Sequence, residues 1–313
     1  MCDIKIRKEE SIMKNDKYNS FSINRDLQNS FSSHNQLCKL AYEIENTNAP
    51  KITVDLTNVN FIASNLFSVL GCIFSDYARK HSCINPILIT GMKRQMVNIV
   101  KKNGFCEHLG LKKMPDVHNT VIPYKRFSVN EIDEYERYLT INLFTRKDLP
   151  QMSQGVRNLI CDYLLELFKN VMDHTTSSFV FTCGQYFPKS YMLYFTIVDK
   201  GETIPYNVNR HHNIHKKQQP NNPLEWAIID GNTTLTSNGP RGIGLTLIRD
   251  FFRLNKGCFY IVSGSHTFEL HNRKERFKTL DYPFPGTIVT VGFNLQDDTS
   301  YSLASEQNIT IQF

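Results

Sequence analysis

Residues 152–174 can form one long helix with two chemically distinct faces, and this restricts what the chain can fold into more than any other feature. Val156, Leu159, Ile160, Tyr163, Leu164, Leu167, Phe168 and Val171 recur at helical spacing and make an apolar stripe. Asn158, Asp162, Glu166, Asn170 and His174 fall four residues apart and make a polar one. Such a helix must lay its apolar stripe on another layer. Two runs that follow, residues 179–187 (FVFTCGQYF) and 192–199 (MLYFTIVD), have strand composition and supply one.

The first part of the chain has a different rhythm. ITVDLTNVNFI, from residue 52, alternates and is β-branched, so it predicts a strand. Residues 64–80 carry Leu66, Phe67, Leu70, Ile73, Phe74 and Tyr77 at helical spacing. A short apolar run at 86–90 and a helix over 92–103, stopped by Gly104, complete a strand–helix–strand–helix series. The expected class is therefore α/β. The chain divides into a polar leader (1–35), a small α/β domain (36–120), a helical connector (121–150), a second domain (151–300) and a tail (301–313). A length of 313 residues suits two domains at about 100–200 residues each. Residues 203–240 are polar and predict a long loop with one short helix near 224–229. A further helix is expected over 242–257, and β-structure after it.

No apolar run reaches the roughly 18 residues that a membrane span needs, and the N-terminus has no apolar signal core. A cytoplasmic protein without a membrane partner is expected. The eight cysteines are scattered with no CxxC pair, which suits buried thiols. The net charge of +6 is concentrated: residues 79–126 hold ten Lys or Arg, including Lys101 and Lys102, against Glu107 and Asp116. A nucleic-acid partner would use such a stretch, but its aromatics, Phe105 and Tyr124, do not alternate with the basic doublets as stacking platforms would, and solvated helix faces are the favoured reading. His211, His212 and His215 lie in the polar loop with no Cys or carboxylate in their run, which favours a polar lid over a metal site.

Four short segments carry chemistry in combination. Glu166 and Asn170 sit side by side on one helix face, where a carboxylate can activate a nucleophile and an amide oxygen can ligate Mg²⁺. Asp199 ends a strand and Gly201 follows, so an acceptor stands beside backbone that a planar ring can approach. GPRGIGL, containing Arg241, Gly242, Gly244 and Leu245, opens a helix and offers amides to phosphate. Gly286-Thr287 opens a terminal strand. Each segment alone has an ordinary structural explanation.

In this order the four segments resemble the Bergerat-fold ATPase superfamily, which includes gyrase, heat-shock chaperone and mismatch-repair ATPases, histidine kinases and anti-sigma serine kinases. The likeness covers about residues 150–295. It implies a two-layer α/β sandwich with a mixed sheet that binds ATP and Mg²⁺. Glu166 would be the general base and Asn170 the Mg²⁺ ligand. Asp199 would take the adenine amine with Thr287, and Gly201 would let the ring approach. Gly242, Gly244 and Leu245 would bind phosphate with Arg241 nearby. His174 completes an ELxxNxxxH pattern like that of the anti-sigma branch. One departure stands out: the second glycine of the family's DxGxG is Thr203 here.

Residues 48–112 resemble the STAS domain of anti-sigma factor antagonists. Ala63-Ser64-Asn65-Leu66 takes the place of the phosphoacceptor motif, with Asn65 at the usual acceptor position. Ser64 is then either a phosphoacceptor or, more simply, a helix N-cap. The fusion implies an ATP-dependent switch, an ATPase or a serine/threonine kinase whose STAS-like half docks protein partners or the ATPase itself. A non-catalytic, ATP-gated dimerisation module and a nucleic-acid-associated ATPase are the alternatives.

Overall fold

The computed structural model of the chain describes residues 4–6, 18–81, 86–173, 178–229 and 244–306. Four short strands, β1 (Ile4–Ile6), β2 (Tyr18–Ser22), β3 (Lys51–Asp55) and β4 (Ile87–Thr90), form a sheet in the order β1-β4-β3-β2. Its pairings are all parallel. Helix α1 (Phe31–Glu45) joins β2 to β3, and α2 (Phe67–Lys80) lies between β3 and β4. The chain steps from β2 to β3 to β4 in one direction, so right-handed crossovers place both helices on one face. Ile52, Val54, Ile87 and Ile89 are buried on that face, while Lys51, Thr53, Asp55, Leu88 and Thr90 are half-exposed on the other. Helix α3 (Arg94–Asn103) follows and ends at Gly104, whose φ of 87° suits glycine.

The expected leader is structural. It holds β1, β2 and the start of α1, and the Ser30 hydroxyl caps α1 by accepting from the Ser33 amide at 3.3 Å. The strand expected to run through residue 62 stops at Asp55, because the Asp55 carboxylate accepts from the Thr57 amide (3.0 Å) and turns the chain.

The second sheet has five strands: β5 (Val121–Ser128), β6 (Phe179–Phe187), β7 (Met192–Asp199), β8 (Cys258–His271) and β9 (Lys274–Asn294), in the order β5-β6-β7-β9-β8. All four pairings are antiparallel, which corrects the expected mixed sheet. Two of the pairings, β6–β7 and β8–β9, are hairpins whose short turns permit nothing else. The β8–β9 turn is Asn272-Arg273, both at positive φ, the conformation that matches hairpin twist. β5 falls inside the expected connector, followed by α4 (Ile132–Leu139) and a π-helical turn over Thr140–Phe144.

Helices cover both faces of this sheet. Along its strands Val180, Phe195, Ile197, Ile261, Val289 and Val291 pack under α4, α5 (Gln154–Asp173) and α8 (Gly244–Leu254). Alternate residues Phe181, Cys183, Val198, Val262 and Ile288 point the other way and share one core with α1, α2 and the parallel sheet. The result is four layers, sheet–helix–sheet–helix. Two smaller helices, α6 (Ile204–Ile214) and α7 (Pro223–Ile228), occupy part of the expected loop.

Candidate functional site

Asp199 closes β7, and its register partner on β9 is Thr287; Thr287 in turn pairs with Ser263 on β8. Directly opposed residues share a face, and alternation puts these three on the side of α5 and α8. The row is wired together. The Ser263 hydroxyl lies 2.8 Å from the Thr287 hydroxyl and accepts from the Ile204 amide at 2.8 Å, which fixes the start of α6 to the sheet. Asp199 Oδ1 accepts from the Gly201 amide at 2.5 Å. Burial pushes the Asp199 carboxyl up to about 7, against the lowering effect of the Gly201 bond. A carboxylate in this state gains most from a ligand that donates to it.

Gly286 allows the close approach at this point. A Cβ there would lie 2.1 Å from the Asp199 carbonyl oxygen and 2.7 Å from Lys200 Cα. A Cβ on Gly201 would lie 2.8 Å from Asp199 Oδ1. Gly286 therefore lets β9 approach the Asp199 backbone, and Gly201 leaves the Asp199 carboxylate clear of a neighbouring side chain.

Glu166 and Asn170 lie one turn apart on α5 and are partly buried, whereas Asn158 and Asp162 on the same stripe are exposed. Ile160, Leu164 and Phe168 hold α5 on the sheet. Burial raises the Tyr163 phenol, and the Glu166 charge adds to the rise. Helix α8 lies beside α5 in the same layer. It begins at Gly244; Leu245 is half-buried against the core, and the Thr246 hydroxyl donates to the Ile228 carbonyl at 3.1 Å. Asp199, Gly201 and Thr287 are thus brought together. Glu166, Asn170 and Gly244 stand on elements of the layer above the same sheet face. His174, Arg241 and Gly242 lie outside the described residues, as do all of residues 230–243.

Thr203 has an explanation of its own. Its φ and ψ are −78° and 152°, extended backbone that requires no glycine, and its hydroxyl accepts from the Tyr206 amide at 3.2 Å as the N-cap of α6. The chain leaves the Asp199 turn as a helix. The histidines at the end of α6 pack on one another and on Trp226: the His211 and His215 rings are 4.3 Å apart, and His212, with Nδ1 2.7 Å from the Gln218 carbonyl oxygen, meets the Trp226 ring edge-on. Among the described residues no group of three His, Cys, Asp or Glu could hold a metal. A single amide oxygen such as that of Asn170 suits Mg²⁺, which keeps several waters and reaches such sites with phosphates.

Ser64 is neither accessible nor a cap. It is fully buried between the two halves, where its hydroxyl accepts from Asn103 Nδ2 (2.9 Å) and lies 3.7 Å from Cys183 Sγ. Neither the short 3₁₀ turn Ser64–Leu66 nor α2 has a side-chain cap. The Ser64 amide donates to Gln185 Oε1 (2.9 Å), and Asn65, also fully buried, donates to the Thr196 hydroxyl (2.8 Å), itself 2.7 Å from that of Thr290. The motif segment is a buried contact with the antiparallel sheet. In the basic stretch, Arg79 and Lys80 pair with Asp76, Lys113 with Glu107 and Lys125 with Glu134, while Arg126 lies over the Phe179 ring. Sequence reasoning missed Ser263, which only its register reveals, and Lys200.

Compared with known proteins, the chain matches no family model, no curated protein and no solved structure. Among the described residues no helix is long and apolar enough to cross a membrane.

Proposed function

We propose that the chain binds ATP with Mg²⁺ on the α5–α8 side of the five-stranded sheet and acts as a Mg²⁺-dependent ATPase or serine/threonine protein kinase in a partner-switch-like system. One observation carries this reading: the half-buried Asp199 and the buried Thr287 stand opposite each other, with glycine backbone at 201 and 286, below the helix layer that holds Glu166, Asn170 and Gly244. Asp199 accepts from the adenine amine with Thr287 beside it. The first turn of α8 offers unbonded amides to phosphate. Asn170 holds the Mg²⁺, which screens the phosphate charge. Glu166 takes the proton from a water or hydroxyl as its oxygen bonds to the terminal phosphorus and ADP leaves. A protein partner is engaged by surfaces of the STAS-like half outside the buried Ser64–Asn65 contact.

The test is a titration of the full chain with Mg²⁺-ATP, followed by phosphate release and ³²P transfer. Glu166→Ala should retain ATP binding and lose at least about 100-fold in turnover, the usual worth of a general base. Unchanged turnover in that variant would remove the catalytic assignment, and turnover absent from the wild type as well would favour the ATP-gated, non-catalytic alternative.

A further inference from the structure

Lys200 follows Asp199 in the chain and points to the opposite face of the sheet. There its ammonium reaches Glu45 at the end of α1 (2.7 Å) and Asp76 on α2 (3.0 Å), with 11% of the side chain exposed. The sequence offers no sign of this, because Glu45 and Asp76 are 155 and 124 residues away. One short turn therefore carries a carboxyl into the candidate nucleotide site and an ammonium into the N-terminal layer. Backbone connects the two rigidly: Gly286 is pressed against both the Asp199 carbonyl and Lys200 Cα, and the Gly201 amide is tied to Asp199 Oδ1.

We propose that Lys200 is a positioning residue of the nucleotide site, and that through it Glu45 and Asp76 make the N-terminal layer part of that site. The proposal rests on the ATP reading given above. A donor arriving at Asp199 competes with the Gly201 amide, so the turn adjusts and Lys200 adjusts with it. The far end of the linkage has a second arrangement available. Asp76 also accepts from Arg79 (2.8 Å) and lies 3.2 Å from Lys80 Nζ, so it keeps partners when Lys200 withdraws. A cavity of about 180 Å³ bordered by Glu45, Asp76, Arg79, Lys80 and Lys200 gives the side chain room to move. Linkage of this kind is reciprocal: the docked layer alters ATP affinity, and ATP alters the docking by the same factor.

The experiment uses the full chain. ATP affinity is measured by calorimetric titration for the wild type, Lys200→Met, Glu45→Gln and Asp76→Asn, and hydrogen exchange of α1 and α2 is followed with and without Mg²⁺-ATP. ATP should change exchange at the C-terminal end of α1 and in α2 of the wild type. Lys200→Met should abolish that change and shift ATP affinity by about fivefold or more, the lower end of ordinary coupling. The two carboxamide variants should shift affinity in the same direction, and they test the linkage should Lys200→Met fail to fold. A residue that merely held the layers together would lower Tm and leave the affinity of the folded protein unchanged; that result overturns the proposal, as does ATP binding without altered exchange in the wild type. A wild type that binds no ATP overturns the reading of the site and the proposal with it.

Discussion

Asp199 is the residue at which stability and binding oppose each other. Its carboxyl is raised to about 7 by burial, so the folded chain holds a proton that the unfolded chain has lost by about pH 4. The stabilisation from that proton is complete below the ordinary carboxylate range and disappears as pH rises through about 7. An amine donor at Asp199 favours the ionised form, so ATP affinity should rise between about pH 6 and 8. Asp199→Asn should flatten this pH profile, weaken ATP binding by about tenfold or more at the alkaline end, and raise Tm there by removing a buried charge. Titration calorimetry and thermal melts at several pH values check both signs; a variant that binds ATP like the wild type would sink the assignment. Gly286 is the steric counterpart. A methyl group there meets the Asp199 carbonyl at 2.1 Å, in backbone that cannot give way as a side chain would. Gly286→Ala should cost about 1–3 kcal/mol, the range for overpacking, measured as a lower denaturant midpoint.

At the scale of elements, legibility followed periodicity. Helix α5 and strands β6 and β7 were plain because their apolar residues recur over many turns or alternate along a buried strand. β2 was not: YNSFS is an edge strand with mostly polar side chains, and only pairing with β3 makes it a strand. α1 was hidden because its buried face includes Ser33, His34 and Cys38 among Leu37, Ala41 and Ile44. β5, VIPYKRFS, carries a proline and two cations that suit the sheet edge it occupies. The chemistry-bearing segments could be found by their order, but not the register that puts Asp199 across from Thr287. α6 shows how one residue decides an element: where a glycine was expected, Thr203 starts a helix that contains Pro205 in its first turn. Thr203→Ala should destabilise α6 by about 1 kcal/mol, whereas Thr203→Gly should cost only a few tenths. Hydrogen exchange over residues 204–214 reads the difference; equal protection in all three proteins would mean that packing, not the cap, holds the helix.

The whole molecule is less divisible than its sequence suggests. A change of rhythm near residue 120 divides the pattern in two, yet one core runs from Ile52 and Ile89 of the parallel sheet through Leu37 and Phe74 of α1 and α2 to Phe181, Val198, Val262 and Ile288 of the antiparallel sheet. Buried polar bonds cross the same boundary at Ser64 and Asn65, and an ion pair crosses it at Lys200. Separation would expose those apolar residues on the antiparallel sheet and strip the Thr196–Thr290 pair of its Asn65 donor, a loss of about 1–3 kcal/mol for each polar group left unsatisfied. The chain should therefore unfold in one cooperative transition rather than two. Trp226 is the only tryptophan and stands in the C-terminal half, so its fluorescence follows that half alone, while hydrogen exchange in α1 and α2 follows the other. Coincident denaturant midpoints from the two probes are the expected result; midpoints that separate would show that the layers come apart before either melts.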